Sequence, residues 1–132
     1  MANNYSQATV SPTDIPSNAL TDEERGVLES SGFTLHESGD NTIYIVVEDS
    51  FLLEESPDFI EDETKEITAE DVFNRIITKV DEINEIVIEG AYTCSKMRSG
   101  EFGGFVIRFT RDRVQSGDTG TLLDMMRKDL IK

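Results

Sequence analysis

Apolar positions recur at three- and four-residue spacing in ITAEDVFNRIITKVDEI, where Val72, Phe73, Ile76, Ile77, Val80 and Ile83 trace one broad face of a helix. Thr68 stands at its N-cap with Asp71 three residues on, and Glu70 adds negative charge to the first turn, where the helix dipole favours it. This is the main core helix. Burying six such side chains contributes on the order of 10 kcal/mol before chain entropy is subtracted. A shorter helix is predicted over about 21–31, where Thr21 and Glu24 form a capping box and Gly32 suits a left-handed stop. Near the end of the chain, Thr119 or Thr121 is the expected cap of TLLDMMRKDLIK. Leu122, Met125, Met126 and Leu130 supply its stripe, and Arg127, Lys128 and Lys132 lie at the end the dipole favours.

A period of two marks the strands. Phe33 and Leu35 alternate with Thr34 and His36, SGDN makes a turn, and Ile43, Ile45 and Val47 follow, interleaved with Tyr44 and Val46. A strand apolar on both faces belongs inside a sheet rather than at its edge. EIVIEGAYTC reads as a third strand. FGGFVIRFTR reads as a fourth, with Phe105, Ile107 and Phe109 on one face and Val106, Arg108 and Thr110 on the other. The order α-β-β-α-β-β-α predicts an α+β fold: a two-layer sandwich with a four-stranded, mainly antiparallel sheet and helices on one face. Residues 1–19 carry Pro12 and Pro16 and no periodicity, so they are expected to be a flexible N-terminal segment ahead of a single domain over 20–132.

Composition narrows the setting. The 132 residues suit one domain with an ordinary core. No apolar run is long enough to span a membrane. The opening MANNYSQATVSPTDIPSNAL lacks the basic and apolar regions of a secretory signal, and a single cysteine makes no internal disulfide, so a cytoplasmic location is expected. Twelve basic residues stand against 27 acidic ones, for a net charge of −15. That balance repels nucleic acid and anionic membranes alike. The charge is also segregated. Residues 48–71 hold eleven acids and one base, whereas residues 94–132 hold eight bases and five acids. An even acidic surface needs no explanation beyond solubility, but this asymmetry does.

The candidate chemistry is sparse. Cys94 is followed by Lys96 and Arg98, which share its face if the strand continues, and the three make a possible reactive-thiol or anion site. A Cys94–His36 dyad requires the two hairpins to be neighbours. The competing reading is a small buried cysteine at a strand end. GEFGG has neither Walker nor dinucleotide-loop spacing: Gly100 suits a turn, and Gly103 and Gly104 suit a bulge or a close backbone approach. One cysteine and one histidine are too few for a structural zinc site, and no EF-hand pattern is present, so no metal and no cofactor are expected. With one histidine and no recognised catalytic motif, an enzyme is not expected and no catalytic residue is assigned.

In the acidic run EDSFLLEESPDFIEDETKEITAED, residues 48–71, the part FLLEESPDFIEDETKE over 51–66 reads as a long loop pinned by its apolar residues, and the rest includes the start of the core helix. Glu54, Glu55, Asp58, Glu61, Asp62 and Glu63 with the anchor Phe59 form the expected partner-binding surface. Carboxylates spaced along such a loop imitate a phosphate backbone. The expectation is therefore a non-enzymatic binding protein that engages a basic protein partner, in the manner of a DNA mimic or an immunity-type inhibitor of a nucleic-acid-acting protein. The alternatives are a small enzyme or redox-responsive protein using Cys94, and a module that self-associates through an edge strand. The segment IEGAYTCSKMRSGEFGGF, taken with YSQATVSP, resembles small uncharacterised acidic proteins of bacterial plasmids and other mobile elements. That resemblance covers the N-terminal tag and the 88–105 hairpin. It implies a bacterial, cytoplasmic, accessory role and carries no catalytic residue.

Overall fold

The computed structural model describes residues 4–54, 67–94 and 102–130. The chain opens with strand β1 (Asn4–Pro16) and a 3-10 turn (Ser17–Ala19), followed by helix α1 (Asp22–Ser30) and the hairpin β2 (Phe33–Ser38) and β3 (Thr42–Val47). Helix α2 (Ala69–Lys79) leads into β4 (Glu85–Cys94), β5 (Gly103–Thr110), β6 (Val114–Asp118) and helix α3 (Thr119–Arg127). The strands form one antiparallel sheet in the order β2-β3-β1-β4-β5-β6.

The expected four-stranded sheet is thus corrected to six strands, and the element order starts with a strand. The four expected strands form two hairpins, and β1 joins them from the middle. Residues 4–16, expected to be a flexible lead-in, pair with β3 on one side and β4 on the other. Their alternation is short: Ala8 and Val10 point into the core, and Gln7 and Thr9 take the other face. It then breaks, because the register against β3 shifts between Val10 and Ile15. Pro12 lies inside that irregularity and Pro16 at the strand's end, the places where a strand tolerates proline. Strand β6 was missed for a different reason: VQSGD holds one apolar residue, and most of the strand is exposed.

One face of the sheet carries the core. Phe33, Ile43, Ile45, Val47, Val10, Ile86, Ile88 and Phe109 are buried there against Val27 and Leu28 of α1 and Val72, Phe73, Ile76 and Ile77 of α2. A run of aromatic contacts crosses it, with ring centroids 5.2 Å apart for Phe73 and Phe109, 5.3 Å for Phe33 and Phe73, and 5.4 Å for Phe33 and Phe51. Both expected capping boxes are present, Thr21 with Glu24 on α1 and Thr68 with Asp71 on α2. Gly32 adopts a φ of 103° after α1, where a Cβ would run into the carbonyl oxygen of Ser50. Helix α3 departs from expectation. Its cap is Asp118 rather than Thr119 or Thr121, and none of its residues is buried. The Thr119 hydroxyl instead bonds the backbone of Gly104, accepting from its N–H at 2.7 Å, and so ends the β5–β6 ladder. No helix of the described residues is long and apolar enough to cross a membrane.

Candidate functional site

A groove of about 840 Å³ opens at the end of the sheet where α2 hands over to β4. Three local features build it. The irregularity in β1 pushes residues 11–14 off β3 while Ser11 still pairs with Val87 of β4, which leaves Asp14 exposed on the rim. Val80 ends α2 with its N–H on the Ile76 carbonyl, and the Ile83 N–H returns to the Val80 carbonyl at 3.0 Å. That tight turn buries Ile83 and leaves Glu82 exposed. Glu85 then opens β4 and is exposed.

The groove combines an apolar lining with a charged rim. Pro12, Pro16, Val80, Ile83 and Val87 line it, and Asp14, Glu82 and Glu85 bring three carboxylates against one cation, Arg108. Arg108 is already committed: its Nε donates to Glu85 and its NH1 donates to the Gln115 side chain at 2.9 Å. The net offer to a ligand is negative charge over a hydrophobic floor.

Of the expected site residues only Glu54 and Cys94 are described, and neither lines the groove. Glu54 is exposed at the start of the acidic run. Glu55, Asp58, Phe59, Glu61, Asp62 and Glu63 lie outside the described residues, as do Lys96 and Arg98. The run's flanks are anchored: Phe51 and Leu53 pack on the core, Leu52 N–H donates to the Ser31 carbonyl at 2.8 Å, and Glu70 N–H donates to the Leu53 carbonyl at 3.1 Å. The run therefore springs from the N-terminal end of α2, and the groove sits at the C-terminal end of the same helix.

Cys94 ends β4, where its backbone pairs with Asn4. His36 sits on β2 and stacks on Tyr44 with ring centroids 4.8 Å apart. Strands β3 and β1 lie between β2 and β4, so at about 4.8 Å per strand the two residues are at least ~14 Å apart and form no dyad. Gly103 and Gly104 are ordinary ladder positions opposite Tyr92 and Ala91. Gly103 makes room for the Tyr92 ring, whose Cζ would lie 2.6 Å from an added Cβ, whereas a Cβ on Gly104 would meet nothing closer than 3.5 Å. Among the described residues no group of three or more histidine, cysteine or carboxylate side chains is placed to hold a metal ion.

Glu24 is the most deeply buried acid among the described residues. Burial pushes its pKa up, but the Thr21 N–H and the ammonium of Lys79, with Arg75 beyond, outweigh this and hold it below the ordinary value. It ties α1 to α2.

Asp14, Glu82, Glu85 and Arg108 were not singled out by motif reasoning. The signal available was the spacing of Ala8, Val10 and Ile15, which breaks the period of two and so marks an irregular strand. No protein family, no curated protein and no solved structure matches this chain.

Proposed function

We propose that this chain is a non-enzymatic acidic binding protein whose groove receives a basic, extended segment of a partner protein. The observation that carries the reading is the placement of Asp14, Glu82 and Glu85 around an apolar floor large enough for several side chains. A segment that alternates arginine or lysine with apolar residues matches that lining: the cations meet the rim and the apolar side chains fill the floor. The charge layout supports the same partner class. The described residues up to Cys94 carry sixteen acids and three bases, so a basic protein is steered toward this part of the molecule. Proteins with such basic segments include those that handle nucleic acid, and the acidic run of residues 48–71 supplies a second contact of the same sign. An inhibitory, immunity-like role follows if the two surfaces together occlude a nucleic-acid channel.

The test is amide chemical-shift mapping with a labelled chain and two nonapeptides, one alternating arginine with leucine and one of lysine alone. The alternating peptide should shift residues 11–14 and 80–87 and outlast moderate salt. The triple substitution Asp14→Asn, Glu82→Gln and Glu85→Gln should weaken binding about tenfold, at roughly 0.5 kcal/mol per carboxylate. Shifts confined to residues 48–66, or equal binding of the two peptides, would reject the groove as the site.

A further inference from the structure

Among the described residues, strand β6 is an edge of the sheet, paired with β5 alone. Proteins blunt such edges with proline, lysine, a bulge or a covering element. Val114–Asp118 is short and ends in Asp118 but carries no proline, lysine or bulge: its sequence is VQSGD, its ladder to β5 runs in unbroken register, and Val114, Gln115, Ser116 and Asp118 are exposed. The helix that follows leaves its apolar side chains in water as well. Leu122, Leu123, Met126 and Leu130 are 43–66% exposed, and α3 buries no residue. An uncovered edge and an uncovered amphipathic helix thus adjoin at one end of the molecule.

Charge indicates what covers them. Residues 102–130 hold five bases and four acids, net +1, whereas the other described residues, sixteen acids and three bases, sum to −13. A strongly basic partner is drawn to the acidic part of the chain and gains nothing here. Two copies of this chain repel through their acidic surfaces, and the β6–α3 end is where they meet at nearly zero charge. A strand edge is also complementary to itself under a two-fold axis, because antiparallel pairing presents the same donors and acceptors from each side. With the axis at Ser116, each Val114 faces Asp118 of the second copy and each Gln115 faces its Gly117.

We propose that the chain forms a two-fold dimer in which β6 pairs antiparallel with β6 of a second copy, making one twelve-stranded sheet, with the exposed apolar residues of α3 packed into the same interface. This pairing is argued from β6 and α3 and not from the groove, whose rim residue Arg108 is bonded to Gln115 of β6.

Sedimentation velocity of the full chain over roughly 1–500 μM at moderate salt tests it, since a small edge-and-helix interface of this kind gives a weak, micromolar association. The mass should rise with concentration from 14.8 kDa to twice that value. Ser116→Lys places two ammonium groups face to face on the axis and should raise the dissociation constant at least tenfold. Ser116→Asp should do the same. An equimolar mixture of the two variants should recover the dimer, because only this pairing puts residue 116 opposite itself. Leu123→Gln, which leaves β6 untouched, should weaken the dimer independently. A monomer across the range, a dimer indifferent to Ser116→Lys and to Leu123→Gln, or a mixture that fails to reassociate would overturn the proposal. Far-UV circular dichroism confirms that each variant is folded.

Discussion

Removing the Glu24 carboxylate should destabilise the fold by more than a surface acid would, and the structure sets the size of the effect. The side chain is 3% exposed. Its Oε1 accepts from the Thr21 N–H at 2.9 Å and from Lys79 Nζ at 3.1 Å, and its Oε2 accepts from Arg75 at 3.4 Å. Glu24→Ala loses one half of the α1 capping box, about 1 kcal/mol. Lys79 and Arg75 are 43% and 51% exposed, so they rehydrate when the carboxylate goes, and each pairing contributes about 0.5 kcal/mol. The small void between α1 and α2 adds about 1 kcal/mol, for a total near 3 kcal/mol. Glu24→Gln keeps the volume and the acceptor for Thr21, and should cost about 1 kcal/mol. Urea unfolding followed by circular dichroism reads both values as midpoint shifts at constant slope. The dependence on pH has a definite sign. Glu24 titrates below its ordinary 4.5 in the folded protein, so its advantage over glutamine is fully present above that pH and fades as the pH falls through the folded value. A Glu24→Ala variant within about 0.5 kcal/mol of the parent, or a gap to Glu24→Gln that does not narrow as the pH falls below 4.5, would refute the account.

Two further substitutions test the sheet and the last helix. A Cβ on Gly90 would collide with the Gln7 carbonyl oxygen and come within 2.6 Å of the Ala8 Cβ and 2.8 Å of the Phe105 ring. Gly90→Ala should therefore cost about 2–3 kcal/mol and lower the thermal midpoint by about 10 °C, while Gly39→Ala, which meets nothing within 4 Å, should leave it unchanged. The Asp118 carboxylate accepts from the Thr121 N–H at 2.8 Å and from its hydroxyl at 3.0 Å, bonds that hold its pKa below the usual aspartate value. Asp118→Ala should speed amide exchange in the first turn of α3 and leave exchange in α2 unaltered. In the parent, that turn should stay protected until the pH falls below 3.8 and through the lowered Asp118 value.

Elements whose stability comes from their own pattern were legible in the chain, and elements that depend on their neighbours were not. Helix α2 announces itself through Val72, Phe73, Ile76 and Ile77 and a capping box, although Val80 and Ile83, read as part of the same stripe, fall at its C-cap and beyond its end, and the inward faces of β3 and β5 follow from strict alternation. Strand β1 has only Ala8 and Val10 in alternation before its irregularity, so its prolines spoke louder than its periodicity. It becomes a strand because two hairpins, each with an open edge, flank it. Strand β6 owes its existence to the β5 ladder, and α3 keeps an amphipathic pattern without a core to bury it. The groove was invisible for the same reason: Asp14, Glu82, Glu85 and Arg108 come from three stretches that only the β1–β4 and β4–β5 registers bring together. The expected acidic loop was visible as composition alone. Its residues 55–66 lie outside the described part of the chain, and its described flanks show only where it is anchored.

The central position of β1 governs how the chain reaches this structure. The β2–β3 and β4–β5 pairs close over short stretches of chain, so each forms early at little entropic cost. A two-stranded hairpin is marginal alone in water. Strand β1 links them only by contacts distant in sequence, such as Val10 with Ile45 and with Ile88. Closing those contacts raises the relative contact order and slows folding. It also makes the two halves one cooperative unit, because neither hairpin gains a complete sheet until the first strand has docked against both.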